Sequence, residues 1–188
     1  MIPCYVGGKG KAAPDATKDF KVAVFETLES TGLGYDTRYR YYRRQYSDMS
    51  RDRFARMVCD PIEAYDREWP EYRAWHRGSL SDEEVLTAFV WEKDKSFRDE
   101  ARAAIFCYND AGLGTGINSM QLLAEGKPLL GFFLRDPIQG PGNVQNVLQL
   151  KLLYPSLVTL VRYDDLTEVV ESVKRWLTEM AMASKGGP

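Results

Sequence analysis

The chain has 188 residues, 44% of them hydrophobic, enough for one domain with a sizeable core. Its 25 Lys and Arg against 27 Asp and Glu give a net charge of −2, which argues against a general nucleic-acid binder while leaving room for a local basic patch. No apolar run approaches the roughly 18 residues of a membrane span, and the first residues lack a signal-peptide pattern, so a cytoplasmic protein without a membrane partner is expected.

The first short apolar run, Pro3-Cys4-Tyr5-Val6, reads as a strand entering the loop Gly7-Gly8-Lys9-Gly10-Lys11. Tyr5, Gly7, Gly8 and Lys9 are candidate substrate-binding residues, the loop serving as an anion cradle of backbone and lysine. The alternative is an ordinary N-terminal turn. Phe20, Val24 and Leu28 recur at helical spacing and predict a helix from about Asp15 to Ser30, closed by Gly32. A second strand starts near Leu33 to Tyr35.

Arg38 to Tyr46 alternates arginine with aromatics, a composition that suits phosphate and base stacking or a subunit contact. Without basic excess elsewhere, nucleic acid is the disfavoured partner. A helix is expected over Ser50–Val58, a break at Asp60-Pro61, and an irregular aromatic insertion over Trp69–His76. His76 is the single histidine, and Cys4, Cys59 and Cys107 share no metal-ligand spacing. Three reduced thiols, no metal and no cofactor are expected.

Ser81 and Glu84 form a capping box that opens a long helix with Val85, Leu86, Phe89, Val90 and Phe97 along its apolar stripe. Asp94 falls on or beside that stripe, where a carboxylate costs free energy unless partnered. It either pairs with Lys93, Lys95 or Arg98 at the stripe's edge or points at a ligand.

Ala103–Tyr108 reads as a buried strand. It is followed by the glycine-rich turn Ala111-Gly112-Leu113-Gly114-Thr115-Gly116, a helix stopped by Gly126, and a second apolar strand over Leu129–Leu134. Glycines ahead of a helix bring backbone N–H groups close to a ligand, and the helix start favours an anion. The spacing matches neither the dinucleotide fingerprint nor the P-loop. Beyond lie a loop from Arg135, a short helix over Val144–Leu153, a last strand over Leu157–Val161, and a helix capped by Asp165 and Glu168. The alternation of strands and helices implies an α/β fold with a five-stranded parallel, doubly wound sheet, Rossmann-like or flavodoxin-like, and helices on both faces. Residues 1–183 form one domain, and 184–188 are expected to be a disordered tail.

From Trp91 to Phe133, about a quarter of the chain, the sequence resembles the nucleoside 2-deoxyribosyltransferase superfamily, most of all its 2′-deoxynucleoside 5′-monophosphate N-glycosidase branch. The resemblance lies in Glu92-Lys93-Asp94 on the helix, Ala101 before the strand, the loop Ala111–Asn118, and the strand entry Glu125-Gly126-Lys127-Pro128-Leu129-Leu130. It implies a nucleoside or nucleotide ligand and action on an N-glycosidic bond. Asp94 matches the carboxylate that orients or protonates the base. Gly112, Gly114, Thr115 and Gly116 match the loop that holds the sugar and its 5′ end, and Gly7 and Gly8 match the first-strand loop. Asn143 or Asn146 matches an asparagine lent to a neighbouring subunit. The family's nucleophilic glutamate is Asn118 here, and its Pro-Ser is Ala111-Gly112. An amide is a poor nucleophile. Three possibilities follow: an enzyme using Asp94 or Asp110, a silent nucleotide binder, or an inactivated variant. The resemblance, together with Tyr41, Tyr42, Tyr46, Trp69 and Trp75, leads to the expectation of a homo-oligomer, at least a dimer.

Overall fold

The computed structural model describes residues 1–9, 13–50, 52–54, 57, 62–75, 81–135 and 144–184. Five strands, β1 (Ile2–Gly7), β2 (Gly34–Asp36), β3 (Ala103–Cys107), β4 (Leu129–Leu134) and β5 (Val158–Tyr163), form one sheet in the order β2-β1-β3-β4-β5. Every pairing is parallel, with Tyr5 opposite Ala104 and Leu129 opposite both Ala104 and Val158. All five residues of β3 are fully buried, so helices cover both faces of the sheet, as parallel strands require. The fold class expected from the alternation of elements is the one observed.

The helices are α1 (Asp15–Thr31), α2 (Thr37–Gln45), α3 (Ile62–Trp75), α4 (Asp82–Glu100), α5 (Leu113–Ala124), α6 (Val144–Leu153) and α7 (Leu166–Ala183). α1 buries Phe20, Val24, Phe25 and Leu28 and lies against α7, which buries Val169, Val173 and Leu177. Phe20 meets Phe132 edge to face, 5.4 Å between centroids, which ties α1 to the middle of the sheet. Ser81 and Glu84 cap α4 reciprocally, as their spacing predicts. α1 ends at Gly32, which takes the left-handed conformation.

Two expectations are corrected. Trp69–Trp75 is not an irregular insertion but the second half of α3, which runs through Pro70. Trp69 and Tyr72 pack on Phe89 of α4 at 5.9 and 5.1 Å, so tertiary contact sustains a helix that a proline and scattered aromatics conceal. The arginine–aromatic run is α2, capped by Asp36, and Tyr39, Tyr42 and Tyr46 belong to the core. Tyr41 packs on Phe97. Tyr42 and Tyr46 are therefore core rather than surface residues, Tyr41 is half-buried, and Trp75 is the exposed one of the five aromatics. His76, Cys59, Asp60-Pro61 and residues 185–188 lie outside the described residues.

Candidate functional site

Five polar side chains from four elements converge beside the boundary of β1 and β3. Asp94 and Arg98 lie four residues apart on α4 and so share one face of it. Tyr5 rises from β1, Arg38 from the first turn of α2, and Asn118 from the second turn of α5. Arg38 donates to the Tyr5 hydroxyl at 3.0 Å and forms an ion pair with Asp94 at 3.3 Å. The Asn118 amide nitrogen donates to the Tyr5 hydroxyl at 3.0 Å and to Asp94 Oδ2 at 3.4 Å. Since Tyr5 accepts from both, its own proton points to Asp94 Oδ1, 3.4 Å away.

Arg98 fixes the orientation of the amide. Its guanidinium donates to Asn118 Oδ1 at 2.5 Å, which turns the amide nitrogen toward Tyr5 and Asp94. Arg98 is buried, stacks over Trp91 at 4.9 Å, and its backbone carbonyl accepts from Lys127. Arg38 is likewise buried, flanked by the rings of Tyr5 and Phe97 at 5.3 and 5.7 Å. Asp94 keeps 21% of its side chain exposed and Asn118 is half-buried, so the solvent-facing part of the cluster is the carboxylate and the amide.

Asp36 supports the cluster from below. Its carboxylate accepts from the Val6 N–H at 2.9 Å and the Tyr39 N–H at 2.6 Å, joining the end of β1 to the start of α2. Burial pushes its carboxyl up to about 6, against the pull of the Arg38 guanidinium and of the two N–H donors. On the other face of the sheet, buried Lys21 donates to the Lys9 carbonyl at 2.7 Å, and Thr17 donates to Asp110 at 2.7 Å. Desolvation raises the buried Cys107 thiol, so it packs as an apolar group.

The glycines divide into two kinds. Gly7 and Gly8 are sterically required: a Cβ on Gly7 would meet the Phe106 ring at 2.1 Å, and Gly8 has φ 142°. At Gly112, Gly114 and Gly116 an added Cβ would meet nothing within 4 Å, and none of these residues has positive φ. The expected glycine-rich turn ahead of the helix is corrected: α5 already starts at Leu113 with Gly112 as its N-cap, so Gly114 and Gly116 lie in its first turn and no glycine is needed for a bend. What these glycines leave is open space at the helix start.

The structure thus brings Asp94, Asn118 and Tyr5 into one hydrogen-bonded group. Gly7 and Gly8 stand at the end of β1, and Gly112, Gly114 and Gly116 stand exposed at the start of α5. Lys9 is exposed and contributes its carbonyl to the contact with Lys21, while Thr115 is buried in α5. Asn143 lies outside the described residues, and Asn146 is exposed on α6. The partner of Asp94 is none of the three cations on its own helix. Lys93 pairs with Glu68, Lys95 with Asp99, and Arg98 with Asn118. Lys21 carries no mark in the sequence; Arg98 is expected there only as a direct partner of Asp94, and Arg38 only as part of the arginine–aromatic run, whereas the structure sets Arg38 on Asp94 and Arg98 on Asn118. Among the described residues no cluster of His, Cys, Asp and Glu could hold a metal ion, and no helix is long and apolar enough to cross a membrane.

A parallel sheet in this order, with a polar cluster beside the β1–β3 boundary where the winding reverses, defines an open α/β protein with a candidate ligand site at its topological switch point. Beyond that class, the chain matches no family model, no curated protein and no solved structure.

Proposed function

We propose that the chain binds a nucleoside 5′-monophosphate or a related sugar–base compound at the Tyr5–Asp94–Asn118 cluster and acts on its N-glycosidic bond. The observation that carries this reading is the convergence of Asp94 and Asn118, 24 residues apart in sequence, on one tyrosine hydroxyl. These are the two positions at which the resemblance to the nucleoside 2-deoxyribosyltransferase superfamily implies catalysis. Breaking an N-glycosidic bond builds positive charge at the anomeric carbon and negative charge on the departing base. Asp94 offsets the first or carries a proton to the second. Asn118 hydrogen-bonds the sugar hydroxyls. The open backbone at Gly112, Gly114 and Gly116 takes the 5′ end at the start of α5.

A second reading, binding without turnover, is favoured by the amide at position 118. Arg98 holds the Asn118 amide where the resembled enzymes carry a nucleophilic carboxylate. An amide there can hydrogen-bond a sugar but is a poor nucleophile. Chromatographic detection of free base from 2′-deoxynucleoside monophosphates decides between them. Release that vanishes in Asp94→Ala supports the enzyme; saturable binding with no release supports the silent binder. The same proposal includes a cytoplasmic homo-oligomer, because the resembled enzymes complete their sites across subunit contacts.

A further inference from the structure

The arginines of the Arg38–Tyr46 run divide by face. Arg38 turns inward to Asp94, whereas Arg40, Arg43 and Arg44 stand around a hollow of about 240 Å³ between α1 and α2. Phe25 of α1 and Tyr39 of α2, both buried and 5.2 Å apart between ring centroids, form its floor. Tyr35, on the edge strand β2, lines one side. Arg43 is already engaged: it donates to the Met49 carbonyl at 3.0 Å and lies over the Phe54 ring at 5.2 Å. Arg40 lies over the Tyr35 ring at 4.3 Å, and the hydroxyl of that tyrosine donates to Glu100 at 2.9 Å.

Arg40 and Arg44 are four residues apart, so their exposed side chains share one face of α2. Among the described residues neither has a carboxylate within ion-pair distance. Two carboxylates, Glu29 and Asp36, line the hollow with the three arginines. Asp36 is buried, and its oxygens accept from the Val6 and Tyr39 N–H groups. The helix C-terminus accounts for cations in the last turn, Arg43 and Arg44, but not for Arg40. Like charges at four-residue spacing oppose the helix that carries them.

An anion between the two guanidiniums offsets that repulsion, and the oxygens of a phosphate match their planar N–H forks. A dianion neutralises both cations, which a single carboxylate does not. The ring floor takes an apolar body beside the charge. Size sets the upper limit, because the hollow is smaller than the roughly 300 Å³ at which pockets for drug-sized ligands begin. A nucleic acid would need a track of cations leading away from the hollow, in a chain whose net charge is −2. We propose that the α1–α2 hollow binds a compact phosphomonoester, with its phosphate between Arg40 and Arg44 and its apolar body on Phe25 and Tyr39. The site is distinct from the Tyr5–Asp94–Asn118 cluster and does not rest on the proposed function.

Calorimetric titration with phenyl phosphate tests this, beside inorganic phosphate, which lacks the apolar body, and phenol, which lacks the charge. Phenyl phosphate saturates at one per chain and binds on the order of tenfold more tightly than inorganic phosphate, while phenol gives no heat. Arg40→Gln and Arg44→Gln each weaken it on the order of tenfold, at an unchanged melting temperature because both side chains are exposed. Arg175→Gln, which removes an exposed guanidinium from α7, leaves the affinity as it was. Binding that survives both substitutions in α2 puts the phosphate elsewhere, the start of α5 included, and overturns the proposal. No binding of phenyl phosphate, equal affinity for inorganic phosphate, or the same loss in Arg175→Gln would overturn it as well.

Discussion

Replacing Asp94 with alanine removes the carboxylate that pairs with Arg38 at 3.3 Å and accepts from Tyr5 and Asn118 at 3.4 Å, while Asp36 stays as a further carboxyl that feels the Arg38 charge. The Arg38 side chain, 9% exposed, then keeps its charge inside the fold without that counter-ion. Breaking a buried pair from one side costs about 3–5 kcal/mol. Here the contacts are long and water reaches the exposed fifth of Asp94, so about 2–3 kcal/mol is expected. For a chain of this length that lowers the melting temperature by roughly 5–10 °C. The control is Asp99→Ala on the same helix, whose ion pair with Lys95 is half exposed and contributes under about 0.5 kcal/mol. Differential scanning calorimetry on the two variants reads the difference directly. If both melt within a degree of wild type, the Arg38–Asp94 pairing described here is wrong, and with it the cluster.

Asn118→Glu sets a second carboxylate beside Asp94, with Arg98 already present as its counter-ion, and is expected to raise base release from 2′-deoxynucleoside monophosphates; a variant that binds nucleotide but releases less base than wild type would contradict this. The Asp36 carboxyl, at about 6 against an ordinary 3.8, favours the protonated form in the fold, so its contribution to stability is complete below pH 3.8 and lost as pH rises through 6. That window is worth about 3 kcal/mol, and the wild-type minus Asp36→Asn difference in urea unfolding between pH 4 and 7 should show this slope with that sign. Gly7→Ala drives a Cβ into Phe106 and is expected to destabilise by about 1–3 kcal/mol or more. Gly112→Ala, in open space, should move the melting point little, and equal effects of the two would refute the division of the glycines.

The sheet was legible because its strands are short, apolar and punctuated. β3 and β4 are uninterrupted buried runs, and the capping box of α4 fixes its start from two residues alone. α3 was not legible. Pro70 and its aromatics read as a loop, and only the rings of Trp69 and Tyr72 on Phe89 reveal the helix. Composition misleads at α2 for a related reason: Arg and Tyr are surface residues on average, yet here Asp36 caps the helix and turns Arg38, Tyr39 and Tyr42 inward. In the candidate site, Asp94 stood out as a carboxylate on an apolar stripe and Asn118 as a departure from a motif. Arg98 was open as a partner of Asp94, and Arg38 stood in the arginine–aromatic run, but which of them meets Asp94 and which meets Asn118 arises from elements distant in sequence coming together beside the sheet. No spacing in a single segment encodes that meeting.

The central claim is that a nucleotide occupies the Tyr5–Asp94–Asn118 cluster. Isothermal titration with a panel of nucleoside 5′-monophosphates tests it most directly, on wild type and on a folded Asp94→Ala protein. Saturable heat at one ligand per chain, lost in Asp94→Ala, is the expected result. Heat that persists undiminished in Asp94→Ala, or no binding to any member of the panel, would contradict the claim.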